Sequence, residues 1–384
     1  MHYCCKEKDA ITAQIVIVGA GISGAVLAER YAAMGKKVAV IERRDHIAGN
    51  CYDFYDDAGI LVSKYGAHLF HTNEEDVWTY VNRFSEWYFY EHRVLACVDG
   101  KLVPIPVNIT TVNQIFGLNI QNEQEMDQWL QQNQIKNDAP QNGEEAALAR
   151  VGPVLYEKMF KHYTYKQWNK WPHELDASVL NRIPVRNNFD DRYFSDKYQY
   201  LPKGGYTQLF EKMLDHPNIQ VFLDTDFFDV RHNLRDYEKI FYTGPIDRYF
   251  DFKFSLQKKL EYRSINFVFE THAQEYYQEN SVNNYPNEHQ FTRIVEYKHF
   301  TQQKHPKTTI SKEFTVDYIA DQNEPYYPVP NPANQAIYAQ YKQEADKLDN
   351  IYFVGRLANY KYFNMDQAFK NALALFRELE EGNG

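Results

Sequence analysis

The N-terminal part of the chain alternates between short apolar runs and one helical segment. The runs Ile15–Val18 and Val38–Ile41 predict two buried strands, and residues 25–34 have the spacing and composition of a helix. The turn at residues 19–24 reads Gly-Ala-Gly-Ile-Ser-Gly, and the second run ends at Glu42. This order of strand, Gly-rich turn, helix, strand and acid predicts one βαβ unit of a nucleotide-binding domain.

Beyond residue 90 the pattern is no longer a regular βαβ series. Two hairpin strands are predicted in residues 95–107, followed by mostly helix from 110 to 181 with a polar Gln/Asn-rich stretch at 121–145. The remaining predicted elements are an amphipathic helix at 206–214, strands at 219–223, 240–243, 262–270, 291–300 and 351–354, and a final helix at 366–380. We expect the strands at 262–270 and 291–300 in a separate, mostly antiparallel sheet.

Each glycine of the turn has its own task if the ligand is a dinucleotide. Gly19 permits the tight turn, Gly21 lets backbone N–H groups approach a pyrophosphate, and Gly24 lets the helix pack closely on the strand. The helix N-terminus then faces the phosphates, and Glu42 accepts hydrogen bonds from ribose hydroxyls. The alternative is a tight turn between strand and helix that binds no ligand.

A second strand followed by glycine near the C-terminus favours FAD over NAD as the dinucleotide. Residues 351–354 lead into Gly355 and Arg356, and a helix with Met365 at its start follows. The nucleotide domain of a simple NAD dehydrogenase is one contiguous block, whereas FAD-binding oxidoreductases return to it late in the chain. The returning segment closes over the ribityl chain and the flavin ring.

Length, charge and cysteine usage permit an enzyme and exclude some partners. A chain of 384 residues can bury a large core in two or three domains. The formal net charge of −10 argues against a general nucleic-acid or anionic-membrane binder, so local arginines must hold any anionic ligand. The four cysteines lack CxxC or metal-ligand spacing, which favours free thiols in a reducing cytoplasm. Neither a secretory signal nor a membrane span is expected.

Ordered motifs along nearly the whole chain resemble one family. The motifs are RDHIAGN at 44–50, YGAHLFHT at 65–72, YTYKQW at 163–168, RIPVR at 182–186, DDRYF at 190–194, PKGGYT at 202–207, FTR at 291–293, YYP at 326–328 and FVGR at 353–356. This set is similar to the UDP-galactopyranose mutase family. The resemblance implies an isomerase that interconverts UDP-galactopyranose and UDP-galactofuranose without net redox change. In that family N5 of reduced FAD is the nucleophile on the anomeric carbon.

The resemblance also implies which residues bind the substrate. Arg182 and Arg293 match a pair that clamps the UDP diphosphate, where guanidinium groups stabilise the charge that grows on the departing phosphate. Further substrate-binding positions are expected at Phe160, Tyr163 and Thr164 for uridine, Trp168 in a mobile lid, Tyr193, Tyr327 and Tyr362 for the phosphates or sugar, Asn284 for the sugar or a phosphate, Asn364 near the sugar, and His92 for the substrate. The alternative for a single arginine or aromatic residue is a surface ion pair or core packing.

The same resemblance assigns residues to the flavin. His68, on a loop that responds to the flavin redox state, and His71, three residues later, are expected at the catalytic centre. A metal bound by these histidines is not expected, because the sequence offers no third ligand. Cofactor-binding positions are expected at Gly19, Gly21, Ser23, Gly24, Glu42, Arg43, Gly49, Asn50, Ala67, His68, Leu69, Arg356 and Met365.

Four positions depart from the commonest pattern of the family. Ala67 replaces a frequent proline at a site that influences acceptance of a C2 N-acetyl group, so UDP-N-acetylgalactosamine stays open as a substrate. Asn364 replaces a frequent aspartate and cannot ionise, which argues against an essential acid there. His92 replaces a common asparagine, and Ala48 replaces the first glycine of a Gly-Gly pair.

The predicted fold class is a multi-domain α/β protein with a discontinuous Rossmann-like FAD-binding domain, an inserted helical domain and an antiparallel β-sheet domain. The predicted boundaries are 11–92, 203–251 and 349–384 for the FAD-binding domain, 108–182 for the helical domain with its lid, and 93–107, 183–202 and 252–348 for the sheet domain. The resemblance also implies a homodimer, an external reductant such as NAD(P)H, and a role in polysaccharide synthesis, while the cysteines predict a cytoplasmic protein and the net charge predicts no nucleic-acid partner.

Two other classes of protein share the FAD fold and stay open on the sequence. A flavin oxidase of the amine-oxidase type would transfer hydride to N5 and have no diphosphate clamp. A non-catalytic binding protein like the prenyl-protein escort proteins would purify colourless and carry an apolar prenyl groove.

Overall fold

The computed structural model describes residues 10–181, 184–252, 259–320, 322–380 and 382. The strands of this part of the chain are β1 (Ile11–Thr12), β2 (Ile15–Val18), β3 (Val38–Ile41), β4 (Asp53–Tyr55), β5 (Leu61–Ser63), β6 (Phe70–Thr72), β7 (Trp87–Phe89), β8 (Val94–Val98), β9 (Lys101–Ile105), β10 (Tyr198–Pro202), β11 (Ile219–Phe222), β12 (Leu234–Arg235), β13 (Lys239–Tyr242), β14 (Tyr262–His272), β15 (Val282–Asn284), β16 (Arg293–Glu296), β17 (Thr308–Asp317), β18 (Tyr327–Pro328) and β19 (Ile351–Phe353). The α-helices are α1 (Ile22–Ala33), α2 (Glu75–Val81), α3 (Ile109–Phe116), α4 (Glu123–Asn133), α5 (Gly143–Leu155), α6 (His162–Trp168), α7 (Ser178–Asn181), α8 (Tyr206–Leu214), α9 (Phe227–Val230), α10 (Ile246–Tyr249), α11 (Lys298–Thr301), α12 (Pro332–Ala345) and α13 (Met365–Glu380). A π-helical turn, Tyr156–Lys161, connects α5 to α6, and 3-10 turns lie at Gly49–Cys51, Pro172–Glu174 and Arg231–Asn233.

A five-stranded parallel sheet in the order β11-β3-β2-β13-β19 forms the centre of the nucleotide-binding part. Its strands are nearly continuous apolar runs because both faces are covered. On one face Ile15, Ile17 and Val40 pack in the same core as residues of α1 and α13. On the other face Val16 and Ile41 pack with residues around α9.

A seven-stranded mixed sheet in the order β18-β14-β17-β16-β15-β8-β9 forms the second layer. All its strand pairs are antiparallel except β8 with β15, which are parallel. The β8–β9 hairpin turns at Asp99 and Gly100, both at positive φ as a two-residue hairpin turn requires. The predicted separate, mostly antiparallel sheet is confirmed.

Helices α3, α4 and α5 each begin at an asparagine that caps the helix. The side chains of Asn108, Asn122 and Asn142 each accept a hydrogen bond from the backbone N–H three residues later. The α5 helix is interrupted at Gly152, whose φ of +75° precedes Pro153. This helical region ends in α6, which places Trp168 at its last residue.

Most predicted elements are present, with one correction and several omissions, which include the short elements β1, β4 to β7, β10, β12, β15, α2, α9 and α10. The predicted strand at 291–300 is wrong in its second half, because β16 ends at Glu296 and residues 298–301 form α11. The sequence analysis missed β17, β18 and α12.

The residue boundaries of the three domains stay a prediction. All five parallel strands come from the segments predicted for the FAD-binding domain. The strand β10 lies in a segment predicted for the sheet domain, but it pairs with β6 and β7 from the first FAD-binding segment. Among the described residues, none of the helices combines the length and the apolar character that a membrane crossing would need.

Candidate active site

The Gly-rich turn after β2 forms one edge of a deep cavity. Gly19 has a φ of +104°, and a Cβ placed on Gly24 would lie 1.9 Å from the carbonyl oxygen of Gly19. Gly19, Gly21 and Ser23 line the cavity, whereas Gly24 packs α1 against the turn. Gly21 is the N-cap of α1 and makes no side-chain capping bond, so the N-terminal N–H groups can receive an anion.

The acid at the end of β3 is held in place by the backbone. Glu42 is buried, and its Oε2 and Oε1 accept hydrogen bonds from the N–H groups of Ala20 at 2.8 Å and Arg44 at 2.9 Å. Each carboxylate oxygen can accept a second hydrogen bond. Glu42 also lines the cavity, as a ribose-binding acid must.

Arg43 and Arg44 follow Glu42 and line the same cavity, and their hydrogen bonds show whether it suits a dinucleotide. Both Arg43 and Arg44 form ion pairs with Glu324 at 2.8 Å, and Arg44 Nη2 also donates to Asn50 Oδ1 at 2.9 Å. Arg44 Nη1 is buried and has no hydrogen-bond partner among the described residues. A buried guanidinium nitrogen without an acceptor is costly. A phosphate oxygen or ring nitrogen of a dinucleotide would satisfy it, so the residues fit FAD.

The loop before β4 closes the cavity against the Gly-rich turn. Gly49 has a φ of +56°, and a Cβ there would lie 2.9 Å from the Cα of Gly21. Ala48 has a φ of +70°, a conformation that glycine adopts more easily, which explains why a Gly-Gly pair is common at this point. Asn50 lines the cavity beside Gly49.

His68 lies where the cavity meets the second sheet. Its Nδ1 is 2.9 Å from the carbonyl oxygen of Gly66, so Nδ1 carries the proton and Nε2 stays an acceptor. Loss of hydration, together with the charges of Arg356 and Arg293, lowers the pKa of His68 to about 4 despite the hydrogen bond to Gly66. The ring is therefore neutral near pH 7 and lines the cavity. Ala67 and Leu69 pack against the core instead and are not among the residues that line it.

Arg356 places a positive charge at the same end of the cavity. Its three hydrogen bonds within the described part of the chain go to backbone carbonyls, two to Phe363 and one to Tyr326. Its guanidinium lies 5.4 Å from the ring centroid of Tyr362. Because carbonyl groups do not cancel its charge, Arg356 can stabilise an anionic ligand. Asn364 and Met365 complete this end.

Aromatic side chains form a cluster next to Arg356. The Trp168 ring is buried and lies 5.2 Å from that of Tyr327, which in turn is 5.4 Å from that of Tyr362. Phe160 and Thr164 are buried on the adjoining helical turns. The structure thus brings together Trp168, predicted for the lid, and Tyr327 and Tyr362, predicted for the phosphates or sugar.

Arg293 is the first residue of β16, the central strand of the seven-stranded sheet. It stands directly opposite Asn284 on β15 and Glu313 on β17. Its Nε donates to Glu313 Oε2 at 2.6 Å, and about a third of its side chain (35%) stays exposed. Burial raises the pKa of the Tyr163 phenol, which the charge of Arg293 opposes, so Tyr163 stays a hydrogen-bond donor near the arginine. Arg182, the other predicted clamp residue, lies outside the described residues.

His92 and Tyr193 form the next side of this region. The His92 ring is buried and lies 5.6 Å from that of Tyr193, whose backbone N–H donates to the His92 carbonyl oxygen. His92 Nδ1 has no hydrogen-bond partner among the described residues, and burial lowers the pKa of the ring to about 3. A neutral ring with an unused nitrogen is suited to bind a ligand hydroxyl.

His71 lies on β6, opposite Gln199 of β10. Its Nδ1 is 2.9 Å from Asp196 Oδ2, and its ring stacks on Phe194 at 3.6 Å. It is not among the residues that line the described cavity. This geometry is suited to a supporting role, and the catalytic role of His71 stays a prediction. The described residues hold no cluster of three or more metal-ligating side chains.

Sequence reasoning missed several residues of the site, among them Glu324, Glu313 and Arg44. Glu313 lies in the middle of β17, which was not predicted although Thr308, Ile310 and Phe314 gave a strand signal. Arg44 was passed over for its neighbour Arg43. Arg43 and Arg44 both line the cavity, and Arg44 has the buried nitrogen without a hydrogen-bond partner among the described residues.

Buried neutral histidines should make the fold sensitive to acid. Burial lowers the pKa of His46 and His68 to about 4 and that of His92 to about 3, against about 6.5 in the unfolded chain. Stability is therefore fully present above about pH 6.5 and is lost progressively as the pH falls toward 4. Each ring contributes about 2 kcal/mol to this loss by pH 5.

We expect His92→Asn to reduce this loss by about 2 kcal/mol between pH 7 and pH 5. The measurement is the free energy of urea unfolding at each pH. The matched control is His232→Asn, at an exposed histidine, which should keep the parent's pH dependence. Parallel pH dependences in His92→Asn and the parent would contradict the expectation.

Comparison with known proteins places this geometry in a family. The UDP-galactopyranose mutase family matches residues 158–362, and the NAD(P)-binding Rossmann-like domain matches residues 17–84. The chain is 40% identical to a probable UDP-galactopyranose mutase of Klebsiella pneumoniae, over 94% of this chain and 92% of that protein. It is 38% identical to a dTDP-fucopyranose mutase of Escherichia coli, over 94% of this chain and 96% of that protein. A crystal structure of reduced UDP-galactopyranose mutase matches with a TM-score of 0.75 at 16% identity, covering 96% of this chain and 94% of that one.

The cavity and the parallel sheet define a flavoprotein with a Rossmann-type FAD-binding domain. Within that class, the chain belongs to the UDP-galactopyranose mutase family. It is therefore an FAD-dependent isomerase that acts on a nucleotide sugar, and the predicted fold class, cofactor and enzyme class are confirmed. A putrescine oxidase matches at a TM-score of 0.63 and 13% identity, which is a likeness of fold alone. The two alternative classes are not favoured.

Proposed function

We propose that this isomerase interconverts UDP-α-D-galactopyranose and UDP-α-D-galactofuranose by ring contraction, without net redox change. The observation that carries the proposal is the position of Arg293 relative to the FAD cavity. Arg293 pairs with Glu313, a Cβ placed on Gly66 would lie 3.2 Å from Glu313 Oε1, and the Gly66 carbonyl accepts a hydrogen bond from His68, which lines that cavity. A cation suited to a diphosphate and a cavity suited to FAD therefore meet at one loop, as a reaction between a nucleotide sugar and a flavin requires.

When bound in its reduced state, FAD supplies at N5 the nucleophile that displaces UDP from the anomeric carbon. The chain must then hold the diphosphate while its negative charge grows. Arg293 has its two terminal nitrogens free of the Glu313 bond, and these can donate to phosphate oxygens. Tyr327, whose pKa burial raises to about 12, stays protonated and donates a further hydrogen bond. Tyr193 and Tyr362 are proposed for the same task, as is Arg182 on the resemblance alone.

The aromatic cluster holds the base and keeps water out. Phe160, Tyr163, Thr164 and Trp168 are proposed to surround uracil, with ring faces for stacking and hydroxyls for its polar edge. Trp168 is 3% exposed and its ring packs on that of Tyr327, which supports its proposed place in the lid. Excluding water during the reaction protects the displaced sugar from hydrolysis.

The sugar is proposed to lie between His92, Asn284 and Asn364. His92 Nδ1 and Asn284 Oδ1 are both buried without a hydrogen-bond partner among the described residues. Hydroxyl groups of a hexose would satisfy both atoms. His68 contributes a neutral acceptor at Nε2 and no positive charge, and His71 orients the strand behind it.

The preferred sugar nucleotide is tested by product analysis. Dithionite-reduced enzyme is incubated without oxygen with UDP-galactose, UDP-N-acetylgalactosamine or dTDP-fucose, and the products are separated by chromatography. The proposal predicts UDP-galactofuranose from the first substrate at the highest kcat/KM. The likeness to a dTDP-fucopyranose mutase makes dTDP-fucose the second candidate, and its faster conversion would overturn the assignment to galactose.

We further propose a cytoplasmic homodimer that draws electrons from an external reductant such as NAD(P)H. The family resemblance supports these assignments, as does the use of product in polysaccharide synthesis. Cys51 is consistent with a reducing compartment: it is a buried free thiol, and burial raises its pKa to about 12. Light scattering during size-exclusion chromatography tests the dimer, and a monomer at micromolar concentration would contradict it.

A further inference from the structure

Four side chains form a row across one face of the seven-stranded sheet. Phe267, Glu313, Arg293 and Asn284 stand directly opposite one another on β14, β17, β16 and β15. Residues directly opposite on adjacent strands project to the same face. A Cβ placed on Gly66 would lie 3.0 Å from a Phe267 ring atom and 3.2 Å from Glu313 Oε1. The row therefore packs against the loop that holds His68 at the FAD cavity.

Glu313 is a buried carboxylate with one oxygen unused. The residue is 1% exposed, and its Oε2 accepts the hydrogen bond from Arg293 Nε at 2.6 Å. Its Oε1 is buried and has no hydrogen-bond partner among the described residues. A buried carboxylate that serves the fold alone is normally satisfied on both oxygens, because each missing hydrogen bond is costly.

Glu296, on the same sheet, shows how such a structural carboxylate is held. It is fully buried, and it accepts hydrogen bonds from the N–H groups of Tyr277 and Gln278 and from Thr308 Oγ1. These bonds fix the loop before β15 and use both oxygens. Glu313 differs because, among the described residues, its side chain accepts one hydrogen bond, from Arg293, whose side chain is about a third (35%) exposed.

The geometry of the Arg293–Glu313 contact leaves the arginine free to bind a ligand. The bond uses Nε, the nitrogen nearest the stem, so the two terminal nitrogens keep their hydrogen-bonding capacity. Holding Nε also fixes the plane of the guanidinium, which reduces the entropy lost when phosphate oxygens bind. The carboxylate charge at the same time offsets part of the attraction between Arg293 and a diphosphate.

We propose that Glu313 is a positioning residue: it orients the guanidinium of Arg293 toward the diphosphate of the nucleotide sugar and moderates how tightly the diphosphate is held. The inference rests on the proposed function of Arg293 as the clamp. It predicts opposite effects for two substitutions. Glu313→Gln keeps an oxygen for Arg293 Nε but removes the charge, whereas Glu313→Ala removes both.

The test is calorimetric titration of UDP into the oxidised, FAD-loaded variants. We expect Glu313→Gln to bind UDP about threefold to tenfold more tightly than the parent, and Glu313→Ala about tenfold more weakly. In the reduced enzyme, Glu313→Gln should lower KM more than it changes kcat, and Glu313→Ala should lower kcat/KM about tenfold. If Glu313 served the fold alone, both substitutions would weaken UDP binding. Glu270→Gln removes a charge from the same sheet at a carboxylate paired with Lys312, and it should leave UDP binding unchanged.

Two outcomes would overturn the inference, and a third would contradict the proposed role of Arg293 as the clamp. Parent-like UDP affinity in Glu313→Ala beside a tenfold loss in Arg293→Ala would overturn the role of Glu313 and leave the proposed function intact. If Glu313→Ala does not fold, the nearly isosteric Glu313→Gln decides, and unchanged or weaker UDP binding there would overturn the inference. Parent-like UDP affinity in Arg293→Ala would instead remove the clamp on which the inference rests.

Discussion

Arg293→Ala is expected to lower kcat/KM about a hundredfold, while the purified protein keeps its FAD. The loss corresponds to about 3 kcal/mol of transition-state stabilisation, the size found when one oriented donor to a developing oxyanion is removed. Most of it should fall on kcat, because the negative charge on the departing diphosphate exceeds that in the bound substrate. The measurement is steady-state conversion of UDP-galactose by reduced enzyme, with FAD content read from the visible spectrum.

Two control variants make the Arg293 result specific. Arg293→Lys keeps the charge but loses the fork of donors, so its activity should lie between that of Arg293→Ala and the parent. Arg377→Ala removes a surface arginine that pairs with Asp76 and should stay within twofold of the parent, because such exposed pairs contribute little. Near-normal kcat/KM in Arg293→Ala would remove this residue from the mechanism.

Gly21→Ala is expected to abolish FAD binding without harming the fold. Gly21 has a φ of −81°, which alanine adopts freely, and the nearest atom to a Cβ placed there is Gly49 Cα at 3.7 Å. Gly21 and Gly49 both line the FAD cavity, so the added methyl would take space where the pyrophosphate approaches the backbone. We expect the variant to purify with less than about a tenth of the parent's FAD. After FAD is removed from the parent, the melting temperatures of the FAD-free parent and the FAD-free Gly21→Ala variant should agree.

Gly24→Ala gives the matched contrast. A Cβ at that position would lie 1.9 Å from the carbonyl oxygen of Gly19, so the helix must shift away from the turn. The FAD-free protein should lose about 2 kcal/mol or more of unfolding free energy. A Gly21→Ala protein that retains yellow colour in parent amounts would contradict the placement of the pyrophosphate. A Gly24→Ala protein as stable as the parent would contradict the close packing of α1.

The nucleotide-binding half of the fold was predictable because its signals are local. The runs at β2 and β3, the glycines between them and Glu42 each carry their meaning within a few residues. The hairpin at Asp99 was predictable for the same reason, since its two-residue turn needs residues that tolerate positive φ.

The substrate side was less predictable because sheet pairing is not local. Arg293, Asn284 and Glu313 meet only through the register of three strands, and β17, which contains Glu313, was missed. The error at residues 298–301 has a related cause: the segment is apolar enough for a strand, but Lys298 turns inward, and its Nζ donates to the backbone carbonyls of Glu275 and His305. Tertiary contacts of this kind override local propensity.

Neighbouring residues of one type also could not be separated from the sequence. Arg43 and Arg44 carry the same charge one position apart. The structure shows that Arg44 stacks on Tyr65 and that its buried Nη1 has no hydrogen-bond partner among the described residues. His68 and His71 differ in the same way. The first faces the cavity, and the second is held behind it by Asp196.

The reactivity of the reduced and oxidised enzymes tests the central claim most directly. UDP-galactose is incubated anaerobically with enzyme whose FAD is either oxidised or fully reduced by dithionite, and the furanose product is measured over time. If the electron-rich flavin is the nucleophile, UDP-galactofuranose forms with the reduced enzyme and turnover by the oxidised enzyme is negligible. Equal rates in the two redox states would contradict the account.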